Sequence, residues 1–414
     1  MFLSRFGVTN YKCVGEIDIP LTPVHVLIGP NDAGKTSLME AIAVLYGGLK
    51  NSIGELFPQP WQGRQLLSFG ARENRIELRG QWLPESGEKA DSHQNGGIAY
   101  GFSVLFQESG ATCVKEPAWL NPLPWDLKGY ENPDDRLPLD VSQGAPSERR
   151  VAFTFLQEDK AKLNGLRIQG LEDLQDFLKP IEKYSLDPRA MKLPAPLDPQ
   201  RRFRLDHDGF GLATLLDDIL GFDSALFKKV EDEFCKTYFK QFTAIRLKTE
   251  NVASYPNAGP GSGTLDQAGK GIYLVSQGQE VRAQQVSDGA IIFLGILALA
   301  HLPEPPPLLL IEEPENGIYP KRLEEVVRLL KQLVERTDRG PFPQIILSTH
   351  SPYVLSFFEP EEVTFLSRTP GKADAPVRAR PLRDAPHIRE RLGKEFYLGE
   401  LWYNLSEEDL FDGK

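Results

Sequence analysis

The 414-residue chain is poor in sulfur and in histidine, with three cysteines, three methionines and six histidines. Cys13, Cys113 and Cys235 stand far apart, an odd number without metal-ligand spacing. That excludes a disulfide framework and a cysteine zinc site. A long apolar run is missing as well. The longest, Ala290 to Leu302, has 13 residues and includes His301, short of the roughly 20 needed to cross a bilayer. The opening Met1-Phe-Leu-Ser-Arg-Phe6 lacks the basic start, apolar stretch and small-residue cleavage site of a signal peptide. Basic charge is not in excess either: Lys+Arg 47 against Asp+Glu 58 gives −11 and a pI near 5.3. Such a surface repels a phosphate backbone on average, so any nucleic-acid contact has to come from a local basic patch. What is present is ordinary for a soluble globular protein, 41% hydrophobic and 25% charged, which excludes disordered, collagen-like and membrane-embedded classes. The expectation is a reduced, cytoplasmic protein with no membrane contact, of one large domain or two to three smaller ones.

Along the chain, Phe2 to Val8 and Glu16 to Ile19 alternate apolar and polar positions as half-buried strands do. Val24-His-Val-Leu-Ile28 is a short apolar run ending at Gly29, as in a buried parallel strand. Leu38, Ala41, Ile42 and Leu45 then fall at helical spacing and predict an amphipathic helix over Thr36 to Tyr46. Arg75 to Arg79 and Ala99 to Phe106 read as strands, and proline and glycine crowd Pro117 to Pro146 as in a loop. Gly165 to Tyr184 and Leu212 to Phe242 read as helical, separated by the proline-rich Pro188 to Pro199. Asn257 to Thr264 has linker composition, and from Gly271 onward strand and helix alternate again. The sequence predicts three regions: an N-terminal lobe over 1–150, a largely helical insertion over 151–256 and a C-terminal lobe over 257–414. It shows no internal repeat and no heptad seam.

Four short motifs carry chemistry. Gly29-Pro-Asn31-Asp32-Ala33-Gly34-Lys35-Thr36-Ser37 fits the phosphate-loop spacing G-x-x-x-x-G-K-[ST]. Glycines let successive backbone N–H groups approach phosphate, Lys35 adds a point charge, and the Thr36 hydroxyl can ligate Mg²⁺. The following helix points its positive end at the same place. Leu308-Leu-Leu-Ile-Glu312-Glu313 is an apolar strand ending in two acids. Glu312 could hold Mg²⁺ directly or through water, and Glu313 could polarise an attacking water. An acidic helix cap is the structural alternative. Gln344-Ile-Ile-Leu-Ser-Thr349-His350 is a second apolar strand, ending in a histidine able to donate to a γ-phosphate. A helix patterned on Leu323, Val326, Val327 and Leu330 lies between the two, as in a βαβ crossover. Val286-Ser287-Asp288-Gly289 opens the apolar helix and reads equally as an anion site or as a plain helix cap.

The order of these motifs resembles the ABC-type ATPase heads, in particular the SMC/RecF/OLD-like branch. The resemblance rests on Val8-Thr-Asn-Tyr-Lys12, Val26 to Ile42, Ile311 to Pro320 and Ile346 to Pro352, and covers residues 1 to 50 and 270 to 370. It implies an α/β P-loop NTPase with a mixed central sheet and a largely helical lid insertion. It implies ATP and Mg²⁺ as cofactors, hydrolysis to ADP and phosphate, and a homodimer closed around two ATP, with a higher oligomer open. Lys12 and the loop residues Asn31 to Ser37 would bind nucleotide, and Thr36 and Glu312 the metal. Glu313 would be the catalytic acid and His350 the switch histidine. Ser287, Asp288 and Gly289 would act in trans, and Gln157 is a candidate for the Mg²⁺-sensing glutamine.

Departures refine the resemblance. Val-Ser-Asp-Gly-Ala replaces the Leu-Ser-Gly-Gly-Gln of transporter subunits, and the lack of a coiled coil argues against long-armed heads. OLD nucleases carry a Toprim domain with an Asp-x-Asp site, and residues 351–414 contain no Asp-x-Asp. The expectation is a stand-alone ATPase half, with a nuclease or effector on another polypeptide and a place in antiviral defence or DNA repair. A slow ATP-gated scaffold is the alternative function. No Asn-Lys-x-Asp motif is present to support a GTPase. Arg378 to Lys394 and Arg201-Arg-Phe-Arg204 are basic stretches that read either as solvated surface or as contacts for DNA or RNA. The aromatic Phe396 to Tyr403 either packs back on the head or docks a partner.

Overall fold

The computed structural model describes residues 1–48, 56–57, 63–71, 73–83, 98–106, 112–114, 177–178, 181, 183–198, 202–252, 267–303, 306–335, 344–368, 375–385, 388 and 397–404. These form two compact units, one of residues 1–183, 306–310 and 336–414, the other of residues 184–305 and 311–335.

The first unit begins with β1 (Phe2–Tyr11), β2 (Val14–Pro20) and β3 (Val24–Ile28), followed by α1 (Lys35–Gly47). Then come β4 (Arg75–Leu83), β5 (Ile98–Phe106), β6 (Thr112–Val114) and β7 (Lys183–Tyr184). An antiparallel sheet runs in the order β2-β1-β4-β5-β6. In β4 every second residue is buried, so Ile76, Leu78 and Trp82 face the core while Arg75, Glu77, Arg79 and Gln81 alternate with them on the other face. This is the period-2 pattern of a sheet with one wet face.

Helix α1 packs on β1 and β4 and also touches a strand of a second sheet, β13 (Gln344–Thr349). For that reason it is buried almost all round rather than amphipathic, which corrects the expectation from spacing. Its remaining polar stripe holds Thr36, Ser37 and Glu40. Gln344 ties the two sheets together: its buried amide accepts from Leu3 N–H at 3.0 Å and donates to the carbonyls of Leu3 and Thr22.

The second unit contains α2 (Pro188–Met191), β8 (Ala195–Pro196), α3 (Leu212–Phe222) and α4 (Ser224–Asp232). Strands β9 (Ala244–Val252), β10 (Gln267–Ser276) and β11 (Gln279–Arg282) build an antiparallel sheet with β8. The helix α5 (Asp288–Ala300) follows, then β12 (Leu308–Glu312), which crosses the unit boundary after Leu310, and α6 (Leu323–Glu335). The helix read over Leu212–Phe242 is broken at Asp223, whose carboxylate caps α4 by accepting from Ala225 and Leu226 N–H. It then widens into a π-helical turn at Glu233–Tyr238. The helix read over Gly165–Tyr184 is corrected at its end, where Lys183 and Tyr184 are in a strand. Sheet pairing there overrides local propensity. Most of that stretch, the linker Asn257–Thr264 and Gln157 lie outside the described residues.

The chain closes in the first unit with α7 (Pro352–Leu355), β14 (Val363–Ser367), β15 (Arg378–Pro381) and α8 (Leu398–Asn404). The six-stranded sheet has the order β15-β14-β3-β13-β12-β7, with β3 parallel to both β13 and β14. Of the C-terminal aromatics, Trp402 packs back, meeting Phe365 edge-on at 4.9 Å, whereas Tyr397 and Tyr403 are exposed; Gly399 lies against the Pro352 carbonyl with no room for a Cβ.

Candidate nucleotide-binding site

The loop Gly29–Gly34 leaves the end of β3 and enters α1 at Lys35. Two conformations make this turn possible. Asp32 and Gly34 both have positive φ, +62° and +85°. A Cβ on Gly34 would lie 2.8 Å from Val377 and 3.0 Å from the Cys13 sulfur, so only glycine fits. At Gly29 a Cβ would collide with the carbonyl of Leu366. Lys35 is 8% exposed and folds over the loop, its ammonium donating to the carbonyls of Gly29 (2.8 Å) and Pro30 (3.0 Å). Thr36 is exposed and Ser37 sits 3.4 Å from Cys13 Sγ. A backbone turn of this kind, with a lysine inside it and a helix N-terminus beneath, suits a polyphosphate.

His350 is brought to the same sheet edge. The parallel register pairs Thr349 with Ile28, so the residues that follow, His350 and Gly29, leave the sheet side by side in sequence register. His350 is exposed, whereas the strand before it is wholly buried. The Thr349 hydroxyl accepts from Ser351 N–H at 2.9 Å and shapes the turn that presents it.

In the second unit Glu312 ends β12 and Glu313 follows with φ +46°, an uncommon conformation for a residue with a side chain. Asn316 secures it, donating from its backbone N–H to the Glu313 carbonyl (3.0 Å) and from its amide to the carboxylate (2.9 Å). Strain of this sort is common at functional positions.

Ser287 occupies the N-cap of α5, but its side chain makes no capping hydrogen bond. The structure therefore does not use the hydroxyl as an ordinary cap. Asp288 pairs with Lys192 at 2.5 Å, and Gln284 donates to the Lys192 carbonyl, which fixes the entry to the helix. Gly289 approaches the carbonyl of Gly317.

Lys12 stands in the turn between β1 and β2 with φ +52°. Its ammonium pairs with Glu40 of α1 at 2.5 Å. Sequence reading singled out Lys12 and missed Glu40, although an acid four residues beyond Thr36 shares its helix face. Thr36 and Glu312 are oxygen donors of the hard type that suits Mg²⁺. Among the described residues no three His, Cys, Asp or Glu side chains gather to hold a metal.

Two family models match this chain. One, described as "AAA domain, putative AbiEii toxin, Type IV TA system", spans residues 141–356, just over half of it. The other, "AAA ATPase domain", spans residues 1–94, which include Gly29–Ser37. The chain belongs to the AAA-domain family. The chain is also 41% identical over 51 residues to an OLD nuclease of Thermus scotoductus. The aligned segment is 12% of this chain and 10% of that nuclease. Among solved structures it is similar to an Smc head bound to the C-winged helix domain of ScpA (TM-score 0.51, 16% identity), covering 93% of this chain and 100% of that one. A similar match is the Smc head with an extended coiled coil, bound to the C-terminal domain of ScpA derived from Pyrococcus furiosus. There the TM-score is 0.50 at 13% identity, over 94% of this chain and 99% of that one. The chain thus has the mixed α/β fold of an Smc head. No helix among the described residues is long and apolar enough to cross a membrane.

Proposed function

We propose that this AAA ATPase binds Mg-ATP, hydrolyses it and closes as a homodimer around it, so that turnover gates an action on nucleic acid or on a partner effector. The observation that carries the reading is the loop itself: Lys35 drawn over a turn whose Gly29 and Gly34 leave no room for a Cβ, with His350 following in register with Gly29. Lys35 and the loop N–H groups would hold the β- and γ-phosphates. Thr36 and Glu312 would hold Mg²⁺, which neutralises phosphate charge during transfer. Glu313, tethered by Asn316, would orient the attacking water and accept its proton. His350 would donate to the γ-phosphate. Ser287, whose hydroxyl is not spent on its own helix, would reach the nucleotide of the opposite head together with Asp288 and Gly289.

A setting in bacterial antiviral defence or DNA repair is supported by the likeness to an OLD nuclease and by a family description that names a toxin. Partner-bound Smc heads support a head that works with a second polypeptide. The test is the steady-state hydrolysis rate with and without duplex and single-stranded DNA, with Glu313→Gln as comparison. Loss of a catalytic base costs about 10²–10⁴-fold. The variant is expected to keep ATP binding, lose turnover by that order and accumulate as a closed dimer in size-exclusion chromatography. Near-wild-type turnover would remove Glu313 from the mechanism.

A further inference from the structure

Glu40 lies on α1 four residues after Thr36, one helical turn from the first residues of the helix. Two lysines from different parts of the first unit converge on it. Lys12 approaches one carboxylate oxygen at 2.5 Å and Lys183 the other at 3.7 Å. The side chains of Lys12, Glu40 and Lys183 are 9%, 17% and 22% exposed, so water screens these charges less than it would on an open surface.

The backbone that carries Lys12 is fixed on both sides. Its N–H donates to the Leu66 carbonyl at 2.7 Å, and the Cys13 carbonyl accepts from Val377 N–H at 2.9 Å. The ammonium sits at the end of a flexible four-carbon stem, so it can move while the backbone stays in place. Through Glu40, five residues after Lys35, it is held about 7.5 Å of helix rise from the start of α1 and the Lys35 loop. A polyphosphate placed there would compete with Glu40 for it.

We propose that Glu40 is an internal competitor of the nucleotide. By engaging Lys12 it holds down the affinity of the phosphate loop, and Lys183 keeps the carboxylate compensated when Lys12 turns to phosphate. The inference rests on the nucleotide-binding reading above. It predicts a gain where a merely structural ion pair predicts a loss: removing the acid should tighten binding.

The experiment is equilibrium binding of ATP and of ADP to the full chain without added metal, so that no turnover intervenes. Glu40→Gln, which keeps the shape and removes the charge, is expected to lower the Kd about three- to tenfold, as for a partly shielded charge pair. Glu40→Asp, with a shorter reach, should fall between it and wild type, and serves if the glutamine variant does not fold. In a Lys12→Met background the effect of Glu40→Gln should vanish. Unchanged or weaker binding in both Glu40 variants overturns the proposal. So does equal tightening with and without Lys12, which would mark a general field effect. If wild type binds ATP and Lys35→Ala abolishes it, the loop reading stands whatever Glu40 does. If wild type binds no nucleotide, both fall.

Discussion

Two helices of equal length make an instructive pair. α1 and α5 each have 13 residues, each is buried on almost every side, and each begins at a sequence motif expected to meet phosphate. Their entries differ. α1 is entered through a left-handed glycine pressed between Val377 and Cys13, with Lys35 folded over the turn. α5 is entered through an extended serine with an idle hydroxyl, steadied from the side by the Lys192–Asp288 pair. The first entry is a tight turn with no room for a Cβ at Gly29 or Gly34. The second is an open cap whose chemistry is turned outward. Burial of a helix body therefore says nothing about what its N-terminus does; the two or three residues before it decide.

This contrast can be broken most severely at Gly34. Gly34→Val forces a β-branched residue into φ +85° and into contact with Val377. Strain and overpacking together should cost about 2–5 kcal/mol and eliminate ATP binding, as read by thermal unfolding and nucleotide titration. A well-folded, nucleotide-binding Gly34→Val protein would show that the turn is not as tight as described.

A smaller effect tests the strand that leads into the turn. His25 on β3 is fully buried between the hydroxyls of Thr22 and Thr364, and burial, with Arg383 adding to it, pushes its pKa down to about 3. The unfolded chain takes up this proton near pH 6.5 and the folded one does not, so stability is full above that pH and is lost as pH falls toward 3. Between pH 7 and 5 this group alone should remove about 2 kcal/mol. Denaturant midpoints of wild type and His25→Gln at the two pH values measure it. Identical losses in both proteins would mean that another group is responsible.

The smallest structural effect is expected at the open cap. Ser287→Ala removes no capping bond and should shift stability by less than about 0.5 kcal/mol. Under the proposed dimer mechanism it still lowers ATP turnover several-fold. An alanine variant that is both stable and fully active would leave the two helix entries different in form but not in use.

Much of this was legible in the residues. The run Val24–Ile28, the phosphate-loop spacing, the paired acids after an apolar strand and the strand before His350 all lie in short, contiguous segments, where periodicity and spacing act locally. Harder to read were the places where distant chain segments meet. The helix expected to continue to Tyr184 ends in a strand because a sheet edge was there to pair with. α1 looked amphipathic because spacing cannot reveal that a second sheet covers its other side. Glu40 looked like any helix-surface acid until Lys12 and Lys183 were found against it.

The sequence by itself determined the class of the protein and pointed to Gly29–Ser37 as a glycine turn feeding a helix, because glycine, lysine and threonine at fixed spacing act through local backbone geometry. Only the tertiary structure decided which charges Lys12 answers to, that the Ser287 hydroxyl does not cap its own helix, and that His350 stands in register with the loop. The first and the last are contacts between residues tens to hundreds of positions apart, and their free energy comes from burial and sheet pairing that no single segment contains; the serine is a local rotamer choice that spacing does not encode.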